Sequence, residues 1–335
     1  MANICVLGAG GWGTALAVMA NRQGHNVTLW SPFAEEVETI RRHGQHIKLL
    51  PNIAVSPSIE LTTDIACAVK ADLVIFAVPS FAIAQTAKQL CPHITKETVI
   101  ANAGKGLEEN TFCRFTEVIK REIPLAVPVA LSGPSHAEEV GRSIPTVLVS
   151  ASQDINAAQK VQSILTNPSF RIYTSNDVIG VELGGALKNV IALAAGICDG
   201  LDMGDNTKAA LMTRGLAEIA RLGASMGANL ETFAGLSGMG DLIVTCGSMH
   251  SRNRRAGILI GQGVKPKDAV QKVGTVEGFF AAKTAFVLSQ RQGIEMPITE
   301  ACYRICYKGL SSKRAADVLM QRPCGNEQNG LWMTN

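Results

Sequence analysis

The sequence predicts two domains: an α/β domain built on a parallel sheet over residues 1–180, and an all-helical domain over residues 181–335. Three observations carry this. The first half alternates short β-branched runs with helical stretches, the pattern of a sheet whose parallel strands are joined by covering helices. After about residue 180 that alternation stops, and apolar residues recur at helical spacing. The chain of 335 residues is also too long for one ordinary core and sufficient for two.

Taken in order, the strands are expected at Ile4–Leu7, Val27–Trp30, Leu73–Val78, Thr98–Ala101, Val127–Leu131, Thr146–Val149 and Arg171–Tyr173. The opening "MANICVLGAGGWG" lacks a basic start and turns glycine-rich at once, so it reads as a strand and not as a secretory signal. In the second half, Gly and Pro breaks at "GLSGMGD", "GQGVKP" and "QGIEMP" divide the helices. The segment "ELGGALKNVIALAAGICDGL" is apolar, but only 16 residues separate Glu182 from Asp199 and Lys188 interrupts them. That is short of the roughly 20 apolar residues of a membrane span, so a buried core helix and no span are expected. The tail "CGNEQNGLWMTN" reads as a loose or docking extension.

Composition narrows the function classes. The chain is 47% hydrophobic and 18% charged, with 31 basic against 28 acidic residues, so a net +3 is too weak to indicate nucleic-acid binding. Nine scattered cysteines form no CxxC pair, which signals neither a disulfide framework nor a zinc site and suits a reducing cytoplasm. Cys302 with Cys306, and His43 with His46, stand at helical spacing and read as apolar packing and a solvated face, so no metal is expected.

The strand ends carry the chemistry. In "GAGGWGTALA", Gly8, Gly10 and Gly13 match GxGxxG between a strand and a helix: the first turns the chain, the second admits a pyrophosphate to the backbone, and the third packs helix on strand. A dinucleotide site is therefore expected. About 20 residues on, where a carboxylate would grip the ribose 2′-hydroxyl, stands "LWSPF" with Ser31 and Pro32. With no carboxylate there to repel a 2′-phosphate, the expected cofactor is NADP or NAD, with NADPH favoured. Lys105 in "AGKG" is placed to reach a crevice at the strand ends, whereas in "SGPSHAEEV" Pro134 suits a first helical position, with Gly133 near the cap and Ser135 in the first turn.

In the helical half, Asp241 and Thr245 share one face of a short helix if one forms. Ser251 is a candidate N-cap with Arg252 and Asn253 in the first turn, where free N–H groups, the positive dipole end and a guanidinium make an anion site. Lys188 stands almost alone among small and apolar residues, and an ammonium so placed needs a partner or a task.

In order and over nearly the whole chain, "GAGGWGTALA", "AGKGL", "SGPSHAEEV", "LGGALKNVIALAAGICDGL", "GMGDLIVTC" and "SRNRR" resemble the bacterial NAD(P)-dependent glycerol-3-phosphate dehydrogenases. The resemblance implies an N-terminal Rossmann-type domain, an all-α C-terminal domain, a homodimer, and interconversion of dihydroxyacetone phosphate and sn-glycerol 3-phosphate for phospholipid synthesis. It implies Lys188 as the proton-transfer residue, and substrate contacts at Lys105, Gly133, Ser135, Lys188, Asp241, Ser251, Arg252 and Asn253. Cofactor contacts would fall on Gly11, Trp12, Ser31, Pro32, Lys105, Ala137, Arg252, Val276 and Glu277. A buried lysine suits that chemistry, because burial and a like charge from Lys105 are expected to pull it towards the neutral amine needed for oxidation, with Asp241 restraining the shift. A non-enzymatic dinucleotide sensor would need the same glycine loop but no such proton donor.

Overall fold

A computed structural model describes residues 1–323, so the C-terminal "CGNEQNGLWMTN" lies outside the described residues. The chain divides into two compact units, one of residues 1–108 and 113–178, the other of 179–335 together with Glu109–Phe112.

The first unit holds one sheet of eight strands: β1 (Asn3–Leu7), β2 (Asn26–Trp30), β3 (Glu60–Thr62), β4 (Leu73–Phe76), β5 (Thr98–Asn102), β6 (Ala126–Ser132), β7 (Thr146–Ala151) and β8 (Phe170–Ser175). Their order is β3-β2-β1-β4-β5-β6-β7-β8. The strand order reverses between β1 and β4, which is where ligands bind in open α/β sheets. Alternate residues of each strand serve opposite faces, as period-2 geometry requires. Ile4, Val6, Val27, Leu29, Leu73 and Ile75 enter one apolar layer. Cys5, Leu7, Trp30, Val74, Phe76 and Ile100 enter the other, beneath Val118 and Ile119.

Two features differ from the sequence expectation. β3 had no signal, because a three-residue polar edge strand has neither length nor alternation. The sheet is also not wholly parallel: β6 and β7 pair antiparallel, with Leu131 opposite Ser150, while every other neighbouring pair is parallel. Strand direction depends on how the connection crosses the sheet edge, and β-branched runs do not encode it.

Among its described residues the second unit is helical, apart from its turns. Its longest helix, Val178–Gly200, is long and apolar enough to cross a bilayer, but 94% of its most apolar window is buried within the fold. It packs on the helix Arg252–Gly261 backbone to backbone. A Cβ on Gly196 would fall 2.1 Å from the Arg254 carbonyl oxygen, and one on Gly257 would fall 2.2 Å from that of Leu193. No side chain fits such a contact, so glycine at both positions sets how closely Lys188 and Asn189 approach the start of the second helix.

Candidate active site

In the sheet unit, the loop after β1 fits a dinucleotide phosphate. Gly8 has φ +114°, and a Cβ there would meet the Ala77 carbonyl oxygen at 2.7 Å. At Gly13 a Cβ would fall 1.9 Å from the Gly8 carbonyl oxygen, so this glycine lets the helix Gly11–Arg22 lie against the loop. Around Gly10, by contrast, a Cβ would meet nothing within 4 Å. That open backbone stands at the N-cap of a helix with no side-chain cap, where N–H groups and the positive dipole end face outward. Trp12 fixes the same helix to the end of β5, its indole N–H donating to the Ala103 carbonyl at 3.2 Å.

The neighbouring strand ends are equally built. Asn102 closes the turn after β5 by accepting from the Gly104 N–H and donating to the Gly104 carbonyl. Lys105 Nζ then donates to the Gly133 carbonyl at 2.8 Å. Ser135 Oγ donates to the same carbonyl at 3.0 Å, so one oxygen gathers Lys105, Gly133 and Ser135. Gly133 has φ +135°, which a residue with a Cβ rarely adopts. The helix here begins later than Pro134 suggested. It runs Ala137–Gly141 with His136 at its N-cap, because Gly133 and the Ser135 hydroxyl hold the preceding residues in a turn. Ala137 is therefore the first helical residue, and Ser135 lies outside the helix.

The expectation that no carboxylate stands after β2 is corrected. Ser31 is fully buried, and its hydroxyl donates to Glu36 Oε2 at 2.5 Å. Glu36 lies in the first turn of the helix Ala34–His43. The acid thus arrives from the helix and folds back on the strand end, which a search of the strand-end residues alone does not find. Pro32 is exposed beside it. His46 is not on a solvated face either: it is 6% exposed and bonded to Glu36 at 3.3 Å.

In the helical unit, Lys188 has partners. Its ammonium donates to Asp241 Oδ1 and, at 2.6 Å, to Thr245 Oγ1. Asp241 is fully buried and Lys188 is 6% exposed. Asp241 and Thr245 do share one face of a helix, Asp241–Gly247, and the Thr245 hydroxyl donates a hydrogen bond to the Asp241 backbone carbonyl at 2.6 Å. A buried charge is thereby matched by a buried countercharge and a hydroxyl acceptor, the condition under which such a pair is tolerated.

Ser251 caps the helix Arg252–Gly261, its Oγ accepting from the Arg254 N–H at 3.2 Å. That leaves the Ser251 O–H as a donor. Arg252 is exposed in the first turn. Asn253 is buried and plays another part: its Nδ2 donates to Asn189 Oδ1 and its Oδ1 accepts from the Gly278 N–H, both at 2.8 Å. Its side chain is committed to the scaffold, and its backbone N–H belongs to the helix's first turn, whose N–H groups lack intrahelical partners. Asn189, adjacent to Lys188, is not among the residues expected from sequence; its only sequence signal is that of a second polar residue inside an apolar helix. Arg254 adds a brace by donating to Asp199 Oδ2 at 2.7 Å and to the Gly247 carbonyl at 2.6 Å. Val276 is fully buried as the N-cap of the helix Glu277–Gln292, so it offers a ligand backbone only, and Glu277 opens that helix.

Comparison with known proteins agrees with this layout. Residues 3–158 match the family described as NAD-dependent glycerol-3-phosphate dehydrogenase N-terminus, and residues 177–317 match the C-terminus of the same family. A glycerol-3-phosphate dehydrogenase [NAD(P)+] of Moorella thermoacetica is 50% identical over 333 residues, covering 98% of this chain and 99% of its own. The enzyme of that name from Bacillus subtilis is 48% identical, covering 99% and 97%. The crystal structure of glycerol-3-phosphate dehydrogenase from Coxiella burnetii superposes with a TM-score of 0.92 at 37% identity, over 96% of this chain and 99% of that one.

Proposed function

The chain belongs to the NAD-dependent glycerol-3-phosphate dehydrogenase family, and from that premise we propose that it reduces dihydroxyacetone phosphate to sn-glycerol 3-phosphate with NAD(P)H, supplying the glycerol backbone of phospholipids. We assign the dinucleotide to residues 1–180 and the substrate to residues 181–335, bounds that differ from the two compact units only at 109–112 and 179–180. The observation that carries this reading is the buried trio Lys188, Asp241 and Thr245, braced through Asn189 and Asn253 to the helix start that bears Ser251 and Arg252.

Bound nicotinamide would supply the hydride; the residues of the chain do the rest. The loop from Gly8 to Gly13, with Trp12, holds the pyrophosphate against a helix N-terminus, and Lys105 and Ala137 border it. Reduction leaves an alkoxide on the substrate's second carbon. Lys188 meets that oxygen with a positive charge and gives it a proton from Nζ, while Asp241 and Thr245 keep the ammonium oriented. Asp241 stabilises the protonated amine, which is the form the reductive direction requires. The Ser251 hydroxyl, the Arg252 guanidinium and the N–H groups of the first turn take the substrate phosphate. The family resemblance supports Lys105, Gly133 and Ser135 as further substrate-binding residues, and Val276 and Glu277 as further dinucleotide-binding residues.

The proposal extends to a homodimer in the cytoplasm. Cysteines scattered through the sequence with no CxxC pair suit a reducing compartment. The test is spectrophotometric, following NADPH and NADH oxidation across small ketones with and without phosphate. Rapid oxidation only with dihydroxyacetone phosphate is expected. Tight nucleotide binding with no turnover on any ketone would point to a dinucleotide sensor and overturn the assignment.

A further inference from the structure

Resting on the reading of the sheet unit as the dinucleotide domain, we propose that Glu36 is the residue that selects between NAD and NADP, its carboxylate accepting a hydrogen bond from a ribose 2′-hydroxyl and repelling a 2′-phosphate. The placement comes from two segments that each touch the glycine loop. The Gly8 N–H donates to the Trp30 carbonyl at 2.9 Å, so Ser31 follows directly beside the first loop glycine, and Ser31 Oγ donates to Glu36 Oε2. On the other side, a Cβ on Gly11 would fall 2.6 Å from the Leu49 carbonyl oxygen, so the turn carrying His46 to Leu50 lies against the head of the first helix. That turn supplies the second support of Glu36, its bond with His46. The carboxylate is therefore fixed between the end of β2 and the phosphate loop, where a bound adenosine ribose lies in this fold.

The support also fixes its charge. His46 Nδ1 accepts from the Leu49 N–H at 3.3 Å, so a neutral ring carries its proton on Nε2 and donates it to Glu36 Oε1. Hydrogen bonds from His46 and then Ser31 hold the Glu36 carboxyl below its ordinary range, against the opposing effect of burial. Both donors leave further lone pairs on the two oxygens for a ribose hydroxyl. From Ser31 to Glu36, "SPFAEE" holds two carboxylates and no lysine or arginine, and Lys48 in the turn that carries His46 is exposed. Arg41 and Arg42 stand in the last turn of the helix, at its opposite end, and Arg41 is engaged by Glu38 and the Leu61 carbonyl. A 2′-phosphate entering beside Glu36 meets a like charge that costs it affinity, whereas a hydroxyl finds an acceptor.

The experiment measures dissociation constants of NADPH and NADH by titration calorimetry, together with kcat/KM for each nucleotide in the reduction of dihydroxyacetone phosphate. In Glu36→Gln the amide oxygen still accepts from Ser31 but the charge is gone, so the Kd ratio of NADPH to NADH should fall at least about tenfold, and kcat/KM should follow. Glu36→Asp keeps the charge and should hold the ratio within about threefold of the parent. A ratio unmoved by Glu36→Gln, or moved equally by both variants, overturns the proposal and assigns Glu36 to the fold alone. Loss of the dehydrogenase reading looks different, since nucleotides would bind and discriminate while no ketone is reduced.

Discussion

The proposed mechanism gives Lys188 and Arg252 separable duties, and substitutions can distinguish them. Lys188→Ala should lower kcat by about 10²- to 10⁴-fold, the usual loss for a general acid or base, with NADPH affinity near normal. It also strands the fully buried Asp241 carboxylate, which costs about 3–5 kcal/mol of stability. Adding Asp241→Asn should recover much of that stability and none of the turnover. Recovery of kcat in the double variant would show that Lys188 serves packing and not proton transfer. Arg252→Ala should lower kcat/KM for dihydroxyacetone phosphate at least tenfold, about 1.4 kcal/mol, and change that for unphosphorylated dihydroxyacetone much less. Equal losses on the two ketones would move the phosphate site elsewhere.

Among the elements, the helices of the second unit are held by contacts that bury polar groups as well as apolar ones. Glu218, in the helix Gly204–Ser225, accepts from the N–H groups of Ile298 and Thr299 and from the Thr299 hydroxyl, capping the helix Pro297–Lys308 from the side. Burial pushes its carboxyl from 4.5 up to about 7, despite those donors. Because the folded protein holds this proton more tightly than the unfolded chain, the associated stability is present below pH 4.5 and is lost as pH rises through about 7. The amount is on the order of 3 kcal/mol. Thermal melts of the parent and Glu218→Gln across pH 4.5–8 check this: the parent should lose stability relative to the variant as pH rises, and parallel curves would refute it. Gln also lacks the second acceptor oxygen, so the variant should be less stable at the acid end.

For the whole molecule, the proposed division of labour between the two units has an exchange signature. Saturating NADPH at about 100 times its Kd should stabilise the folded protein by about 2.7 kcal/mol. Amide protection should concentrate at Gly8–Gly13, Ser31–Glu36 and Ala103–Gly106, with little change in the helix Pro266–Val273 of the helical unit. Hydrogen exchange with mass spectrometry reads this directly. Protection confined to the helical unit would reverse the assignment of nucleotide to the sheet.

The sequence by itself determined what local rules govern: strands announced by β-branched runs, a glycine loop whose spacing specifies its turn, the Ser251 cap, and the isolation of Lys188. Each depends on residues within one or two turns of each other, so neighbouring letters suffice. Tertiary structure decided what depends on distant segments meeting. It turned β7 antiparallel, added the edge strand β3, joined Asn253 to Asn189 and Gly278, and placed Asp241 and Thr245 around an ammonium more than fifty residues away in the chain. It also brought Glu36 back to Ser31 and His46 to Glu36, reversing the sequence reading of an acid-free strand end. A carboxylate that reaches a site by folding across a helix turn leaves no mark at the position where a strand-end acid is sought. Its presence there is a consequence of packing.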